Sequence, residues 1–280
     1  LGGSKTEIIA LAEDGCELLR QRIPTPQGDY MATVMAIAGL VERAENTLGQ
    51  RGSVGVGIPG AESLSTGLIK NANSTCLIGK PLKRDLQALL QREVRLANDA
   101  NCFALSEAVD GSGQDARIVF GIILGTGVGG GIVINRQVVT GANAIAGEWG
   151  HNPLPLPSGD DLPLPACYCG RTGCVETYLS GPALAADHLR HTGQMLSASE
   201  IDRLAASGDA ACEASLCRYE ERLGRALAGV INLLDPEVIV IGGGLSKMQR
   251  LYQNLPECCC RHVFSDVFNT QFRPPAHGDS

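Results

Sequence analysis

One glycine-rich stretch holds the residues with the most specific chemistry in the chain. It begins with Glu148-Trp149-Gly150-His151 and continues, after a spacer of fifteen residues, with Cys167-Tyr168-Cys169-Gly170-Arg171-Thr172-Gly173-Cys174-Val175-Glu176. Thiolate sulfur and neutral imidazole are the ligands that structural zinc prefers, and glycines let the backbone turn twice within one coordination shell. The spacing therefore predicts a tetrahedral zinc site formed by His151, Cys167, Cys169 and Cys174. The alternative is a surface loop of reduced cysteines with an unrelated histidine.

A second candidate for chemistry is Asp99, which follows a short predicted strand at 94–97 and precedes a predicted helix at 100–109. Ligands of open α/β sheets bind at this end of the strands. Asp99 is placed to accept the proton of a substrate hydroxyl while Asn98 orients a neighbouring hydroxyl. The equally weighted alternative is that Asp99 caps the following helix. Asn73, in a polar loop at 67–74, is interpreted first as a turn former and second as a sugar contact.

Three glycine turns are predicted beside strands, at residues 2–5, 125–131 and 242–246. Any single turn of this kind indicates a hairpin as readily as a phosphate cradle. Three together favour a nucleotide, because backbone N–H groups in two opposed turns can bind both ends of a polyphosphate. Neither a Walker A sequence nor a Rossmann fingerprint is present. The first turn opens the chain without a preceding strand, so we expect native residues upstream of Leu1.

Composition narrows the class of protein. The 280 residues are 44% hydrophobic and 19% charged, which is typical of a globular protein with two modest domains or one large one. A net charge of -7 argues against a nucleic-acid partner, and the apolar runs are too short to cross a membrane. Eleven cysteines, an odd number, favour a reducing compartment, so a cytoplasmic protein is expected. The run Cys258-Cys259-Cys260 is interpreted as a chance feature of a late helix.

Hydrophobic periodicity predicts alternating strands and helices. Strands are expected at 8–11, 17–23, 53–58, 94–97, 118–124, 132–134 and 237–241. Helices are expected at 30–48, 82–91, 100–109, 181–190, 199–206 and 211–234. The polar segment 111–115 predicts a linker, which gives an N-terminal α/β domain at 1–113 and a C-terminal α/β domain at 114–280. The second domain repeats the order of the first, which indicates an internal duplication.

These motifs resemble the ROK family of sugar kinases and repressors. The resemblance spans nearly the whole chain and rests on residues 1–6, 98–102, 125–131, 148–151 and 167–176. Residues 70–75, 91–97 and 147–155 are similar to the bacterial fructokinase or manno(fructo)kinase branch. Two departures are visible: Ser4 replaces a threonine of the family pattern, and the aspartate that precedes the first glycine turn of the family lies outside the chain. The family also continues beyond Ser280 into a helix that returns to the first lobe.

The resemblance implies an actin-like, two-lobed α/β ATPase fold that transfers phosphate from ATP to the 6-hydroxyl of a hexose. The expected hexose is fructose, with mannose or glucose as alternatives, and Asp99 is the expected general base. ATP and Mg²⁺ are implied as cofactors, together with a structural Zn²⁺ that fixes the loop. The implied sugar contacts are Asn73, Asn98, Glu148, His151 and Glu176. The implied nucleotide contacts are Gly2, Gly3, Ser4, Lys5, Gly125, Thr126, Gly127, Val128, Gly129, Gly130, Gly131, Gly243 and Gly244.

Two other functions are consistent with the same resemblance. ROK repressors share the sugar-binding body but carry a DNA-binding helix-turn-helix ahead of it, and a catalytically silent relative would bind sugar without transferring phosphate. Neither a basic helical pair nor any other nucleic-acid feature is found in the sequence. The expected partners are therefore the hexose and ATP, with no nucleic acid and no membrane. Relatives are often dimers, so a homodimer is compatible with the resemblance, although no residue indicates its interface.

Overall fold

The computed structural model describes residues 1–2, 5–72 and 74–277, and the chain divides into two compact units. Unit 1 consists of Leu1–Cys102 with Thr140–Ile145. Unit 2 consists of Phe103–Val139 with the chain from Ala146 on. The division falls at 102/103, inside the helix Asp99–Val109, whereas the sequence predicts a boundary at 113/114.

The segment 111–115, which the sequence suggests as a linker, is bound within unit 2. The carboxylate of Glu107 accepts a hydrogen bond of 2.8 Å from the Ser112 N–H. Arg273 donates to the Ser112 carbonyl at 2.6 Å and forms an ion pair of 2.5 Å with Asp115. These bonds hold the polar segment as a tight turn and also keep the chain at 271–277 in unit 2.

Among its described residues, unit 1 forms three separate strand pairs and three helices. The strands are β1 (Lys5–Leu11), β2 (Glu17–Pro24), β3 (Val54–Ile58), β4 (Ala61–Glu62), β5 (Ile69–Lys70) and β6 (Val94–Asn98). The helices are α1 (Tyr30–Leu48), α2 (Leu82–Leu90) and α3 (Asp99–Val109), of which α3 crosses into unit 2. Strands β1 and β2 pair antiparallel, as do β4 and β5, whereas β3 and β6 pair parallel.

Local sequence explains the main elements of unit 1. The predicted hairpin turns where Gly15 adopts a φ of 86° and where the Asp14 carboxylate accepts the Cys16 N–H at 2.9 Å. Helix α1 begins where the Asp29 carboxylate accepts the Ala32 N–H, and it ends at Gly49 in the left-handed conformation. The apolar faces of α1 and α2 form the core of this unit with residues that include Val34, Ile37, Val41, Leu82 and Leu86.

The described part of unit 2 is built on one five-stranded sheet covered by helices. The strands are β7 (Ile118–Leu124), β8 (Val128–Ile134), β9 (Gln137–Val138), β10 (Val238–Gly242) and β11 (Gln271–Arg273), in the sheet order β11-β10-β7-β8-β9. The helices are α4 (Glu176–Leu179), α5 (Gly181–Thr192), α6 (Ala198–Ala206), α7 (Ala210–Leu234) and α8 (Gln249–Cys260). Strands β7 and β10 are parallel, and β8 is antiparallel to β7.

The long helix α7 supplies much of the core of unit 2. Its buried face includes Leu216, Leu223 and Leu227, which pack with the buried residues of the central strands. The helix ends at Asp235, which has a φ of 45°, immediately before Pro236. The predicted helix at 211–234 is thus confirmed to within one residue, and its stop signal acts as expected.

The two units share two kinds of strand pairing, in agreement with the predicted duplication. Each contains an antiparallel hairpin, β1–β2 in unit 1 and β7–β8 in unit 2, and a parallel pair, β3–β6 in unit 1 and β10–β11 in unit 2. The three cysteines at 258–260 lie at the end of α8, as expected for a late helix. None of the helices in the described residues is long and apolar enough to cross a membrane.

Candidate functional site

The end of β6 in unit 1 places Asn98 and Asp99 at the start of α3. The Asn98 side-chain oxygen accepts the N–H of Asn101 at 3.1 Å, and the Asn98 amide donates to the Gly60 carbonyl at 3.1 Å. Asn98 is therefore the residue that caps α3, whereas the alternative considered from the sequence was that Asp99 caps it. Asn98 and Asp99 thus satisfy different N–H groups in the first turn of α3.

Asp99 itself is exposed and accepts the N–H of Ala100 at 2.8 Å. Desolvation by the surrounding protein raises the pKa of its carboxyl group above the ordinary value, and the Ala100 hydrogen bond opposes that rise. A carboxylate whose pKa is raised toward the working pH is a better proton acceptor than an ordinary one. Its environment therefore suits the predicted role of general base.

The remaining candidates of unit 1 lie at its first turn and in the polar loop. The Gly2 N–H donates to the Lys5 carbonyl at 2.9 Å, so these two predicted nucleotide contacts lie beside each other at the start of β1. Gly3 and Ser4, also predicted as nucleotide contacts, lie outside the described residues. The predicted sugar contact Asn73 lies outside them as well.

In unit 2, two glycine turns meet at the carboxyl ends of the parallel strands β7 and β10. The turn at 125–127 follows β7, and Gly243 and Gly244 follow β10. A Cβ atom on Gly125 would lie 4.0 Å from the Gly244 nitrogen, and one on Gly243 would lie 2.5 Å from the Leu124 carbonyl oxygen. Gly243 also has a φ of 80°, so only glycine fits this close approach without strain. Exposed backbone at the carboxyl end of parallel strands is a suitable site for phosphate.

The second glycine turn is shorter than the sequence suggested. Only residues 125–127 form the turn, because Val128 already pairs with Leu124 across the β7–β8 hairpin. The run from Val128 to Gly131 lies in β8, and Gly130 faces the indole of Trp149, where a Cβ would come within 2.7 Å. Gly130 therefore has a packing role, and nucleotide contacts of Val128, Gly129, Gly130 and Gly131 stay predictions, as do those of Thr126 and Gly127.

The loop that carries Glu148 and His151 is seated directly on β8. The Trp149 indole N–H donates to the Gly129 carbonyl at 2.8 Å, and its ring meets Phe120 edge to face at 5.8 Å. Gly147 has a φ of 90°, and a Cβ at this position would overlap the carbonyl of Gly130. Because the backbone of this loop packs directly on the backbone of β8, the loop has little freedom to move. The backbone positions of Glu148 and His151 are therefore fixed.

The four predicted metal ligands come together in unit 2. The ligand atoms of His151, Cys167, Cys169 and Cys174 all lie within 4.8 Å of one another, and no other group of three or more His, Cys, Asp or Glu residues does so in the described parts of the chain. The Cys169 and Cys174 sulfurs are 3.6 Å apart, and the Cys167 sulfur is 3.6 Å from Nδ1 of His151. The structure thus places in one cluster the residues that the sequence spacing selected.

This cluster fits zinc in both chemistry and size. Zinc–sulfur bonds of about 2.3 Å in a tetrahedron separate two sulfurs by about 3.8 Å and a sulfur from an imidazole nitrogen by about 3.6 Å. The observed separations match these values, whereas a disulfide would need sulfurs about 2 Å apart. Burial raises the pKa of Cys174 to about 12, and a hydrogen bond from the Arg171 N–H lowers the pKa of Cys169. Metal binding here would therefore release protons.

The predicted sugar contacts of unit 2 surround one tyrosine. Partial desolvation beside the cysteine cluster raises the pKa of the exposed Tyr168 to about 12, and the negative charges of Glu176, Cys167 and Glu148 contribute further. The Tyr168 hydroxyl also lies 3.0 Å from Nε2 of His151. His151 thus contacts Tyr168, and the charges of Glu148 and Glu176 act on it, although the sequence did not single out this residue.

Glu176 has a second partner that its predicted role did not include. Its Oε2 atom accepts the Val128 N–H at 2.9 Å. Glu176 follows the last cysteine of the cluster, Cys174, and begins helix α4. One carboxylate therefore joins the segment with the metal ligands to the hairpin between β7 and β8.

A buried ion-pair network holds the spacer between His151 and the cysteines. Asp161 accepts from Arg222 at 2.7 Å and from Arg225 at 2.8 Å, and Arg225 also donates to the Pro155 carbonyl at 3.0 Å. Burial disfavours the charged carboxylate, but the Ser158 N–H and both guanidinium groups outweigh that effect and lower the pKa of Asp161. The sequence signal was available, since arginines three residues apart share one face of α7.

Comparisons with known proteins agree with this architecture. A family model described as the ROK family matches residues 1–280. The N-acetyl-D-glucosamine kinase of Photobacterium profundum is 40% identical over 284 residues, which cover 100% of this chain and 94% of that protein. The ROK hexokinase of Thermus thermophilus superposes with a TM-score of 0.85 at 31% identity, covering 99% of this chain and 91% of that one.

A ROK family glucokinase of Streptomyces griseus, solved with glucose and AMPPNP, superposes with a TM-score of 0.83 at 27% identity, covering 100% of this chain and 93% of that one. The fold, with its duplicated sheets, is the actin-like α/β fold of sugar kinases. The chain belongs to the ROK family. The predicted class of sugar kinase is confirmed, whereas the fructokinase branch is not supported by these relatives.

Proposed function

We propose that this chain transfers phosphate from ATP to N-acetyl-D-glucosamine. The observation that carries the proposal is 40% identity to an N-acetyl-D-glucosamine kinase across the whole chain. Fructose, which the sequence resemblance favoured, has no such support from the comparisons. Because related sugars differ by single substituents that a pocket must recognise, the sugar has to be determined by measurement.

Asp99 is the general base in this proposal. Its carboxylate removes the proton of the attacking 6-hydroxyl, and Asn98 fixes its position by capping α3. Phosphoryl transfer depends mainly on positioning and on charge stabilisation, so the raised pKa of Asp99 assists but is not the main source of rate.

The nucleotide and metal ions take the other predicted sites. ATP with Mg²⁺ binds at the glycine turns of unit 2, where Gly125 and Gly244 lie beside each other. Zn²⁺ binds His151 and the three cysteines as a structural ion, since a closed set of four ligands leaves no position for catalysis. Glu148 and Glu176 then accept hydrogen bonds from sugar hydroxyls, together with Asn73, Asn98 and His151. The proposed location of this enzyme is the cytoplasm.

Phosphorylation assays with a panel of sugars test the proposal. N-acetylglucosamine, fructose, mannose and glucose are each supplied with ATP and Mg²⁺, and ADP release is followed. The same assays use the variant Asp99→Asn and a matched control, Asp110→Asn, which alters an exposed carboxylate that pairs with His277. We expect the highest kcat/KM with N-acetylglucosamine, a loss of kcat of about 100-fold or more in Asp99→Asn, and no change in the control.

Two results would contradict this assignment. A preference for fructose would replace the proposed substrate but keep the kinase. A folded chain that binds the sugars and ATP without turnover would indicate a catalytically silent relative, and Asp99→Asn would then be indistinguishable from the parent protein.

A further inference from the structure

Arg225, on helix α7, binds the spacer at 152–166 that separates the first metal ligand from the other three. Its guanidinium group donates to the carbonyl of Pro155 at 3.0 Å, to the carbonyl of Leu156 at 2.8 Å and to the carboxylate of Asp161 at 2.8 Å. Only 11% of the Arg225 side chain is exposed. One side chain of a long helix therefore holds the spacer at three points.

The backbone of Leu156 indicates that this contact imposes a conformation on the spacer. Its φ is 47°, in the left-handed region that leucine rarely adopts. The Leu156 side chain is 80% exposed, so its own packing does not stabilise this conformation. A disfavoured backbone conformation persists only where surrounding contacts impose it, and the hydrogen bond from Arg225 to the Leu156 carbonyl is such a contact. The arginine therefore holds the spacer in a shape that its local sequence does not favour.

Arg222, one turn earlier on α7, completes the attachment. It donates to the Asp161 carboxylate at 2.7 Å and to the Asp160 carbonyl at 3.0 Å, and it pairs with Asp187 of α5 at 2.9 Å. The side chains of Arg222, Asp161 and Asp187 are nearly fully buried. Because removing charges from water costs free energy that often cancels their attraction, such a network adds little net stability. Its more direct effect is to fix the backbone that carries Asp161.

We propose that Arg225 and Arg222 are positioning residues that form the metal site before the metal binds. The spacer follows His151 and leads to Cys167, so fixing its middle limits how far the first ligand can move from the other three. The ligand atoms of all four residues lie within 4.8 Å of one another in this arrangement. If the spacer were free, the apparent zinc affinity would fall with the fraction of molecules in which the ligands are together. This inference rests on the zinc site of the proposed function and is independent of kinase activity.

Zinc titrations of two arginine variants test the proposal. Arg225→Met keeps an apolar stem but removes the donors to the spacer. The matched control is Arg250→Met, which breaks another partly buried ion-pair network in unit 2, since the hydrogen bonds of Arg250 go to Glu213 and Glu220 and not to the spacer. Competition with a chromogenic zinc chelator is expected to show affinity about 10-fold weaker for Arg225→Met and unchanged for Arg250→Met.

Hydrogen exchange in the parent protein tests the same inference without any variant. The Ser158 N–H donates to the Asp161 carboxylate, and the Asp161 N–H donates to the Ser158 carbonyl, both at 3.0 Å. After a chelator has removed bound metal from the full chain, NMR is expected to show slow exchange of both N–H groups, with little further slowing when zinc is added. In metal-free Arg225→Met their exchange should be about 10-fold faster or more.

Three results would overturn the proposal. One is fast exchange at Ser158 and Asp161 in the metal-free parent that slows only with zinc, because the metal and not the arginines would then order the spacer. Another is zinc affinity of Arg225→Met within twofold of the parent. The third is a parent protein that binds no zinc, which would also remove the zinc site from the proposed function, whereas the first two leave that site intact.

Discussion

Glu107 allows a specific stability prediction, because its buried carboxylate binds the backbone of residues 276–277 to helix α3. Its side chain is fully buried, and its oxygens accept the N–H groups of Ser112 at 2.8 Å, Ala276 at 3.0 Å and His277 at 3.1 Å. The substitution Glu107→Gln keeps the size of the side chain but replaces one acceptor oxygen with an NH₂ group that can only donate. At least one backbone N–H then faces another donor.

The expected loss follows from these contacts. Ala276 is within reach of both carboxylate oxygens, so it keeps an acceptor in either orientation of the amide, whereas Ser112 or His277 loses its own. An unsatisfied buried donor costs about 1 to 3 kcal/mol, and loss of the charge weakens the bonds that remain. We therefore expect unit 2 to lose about 2 to 3 kcal/mol of unfolding free energy.

The fluorescence of Trp149 makes a urea-unfolding assay specific for unit 2. This residue is the single tryptophan of the chain and is buried in unit 2, so its fluorescence during urea unfolding reports on that unit alone. The control is Glu257→Gln, whose side chain is 81% exposed and pairs with Arg261 at the surface, and which should change the midpoint very little. If Glu107→Gln shifted stability no more than this control, the carboxylate would not be the anchor described here.

Three further outcomes are expected. Gly147→Ala should unfold unit 2 or leave it insoluble, because its Cβ would overlap the Gly130 carbonyl; soluble protein with parental Trp149 fluorescence would refute the close packing. Zinc should protect Cys169 from alkylation until a chelator removes it, while exposed Cys260 should react in both states; mass spectrometry of the labelled peptides decides. Hydrogen bonds from Arg250 lower the pKa of Glu213 to about 2, so the stability from this pair is present above the ordinary value of 4.5 and is lost as the pH falls toward 2. Glu213→Gln, which leaves Arg250 paired with Glu220, should reduce the change in the urea midpoint between pH 6 and pH 3, and an unchanged pH dependence would count against the pair.

The sequence predicted most elements because local signals and burial agree in this chain. Helix α1 has its cap at Asp29, its apolar face and its Gly49 terminator in sequence, and the structure uses all three. The cluster of His151 and three cysteines could be predicted equally well, since zinc ligands are recognised by residue type and short spacing. Where local preference, periodicity and side-chain chemistry point to one structure, one sequence is enough.

The failures arose where distant backbone decides the outcome. The glycine-rich run at 125–131 suggested one long turn, but Gly130 lies in β8, where Trp149 and the loop at Gly147 pack against it and leave no room for a side chain. The capping role belongs to Asn98, whose side chain also reaches the Gly60 carbonyl in the turn between β3 and β4, a contact that no local pattern reveals. Tyr168 was overlooked for a similar reason, since its partner His151 is seventeen residues away.

The hydrogen bond from Val128 to Glu176 couples the stability of the candidate metal site to that of the β7–β8 hairpin. The carboxylate that follows the last cysteine stabilises the first residue of β8, beside the turn at 125–127. If zinc binding orders Glu176, part of the free energy of that binding therefore also stabilises the turn at 125–127. Linkage is reciprocal, so a ligand that orders the turn must tighten zinc by the same factor. Under the proposed function, an ion with no part in the chemistry would in this way influence how strongly the protein binds a nucleotide.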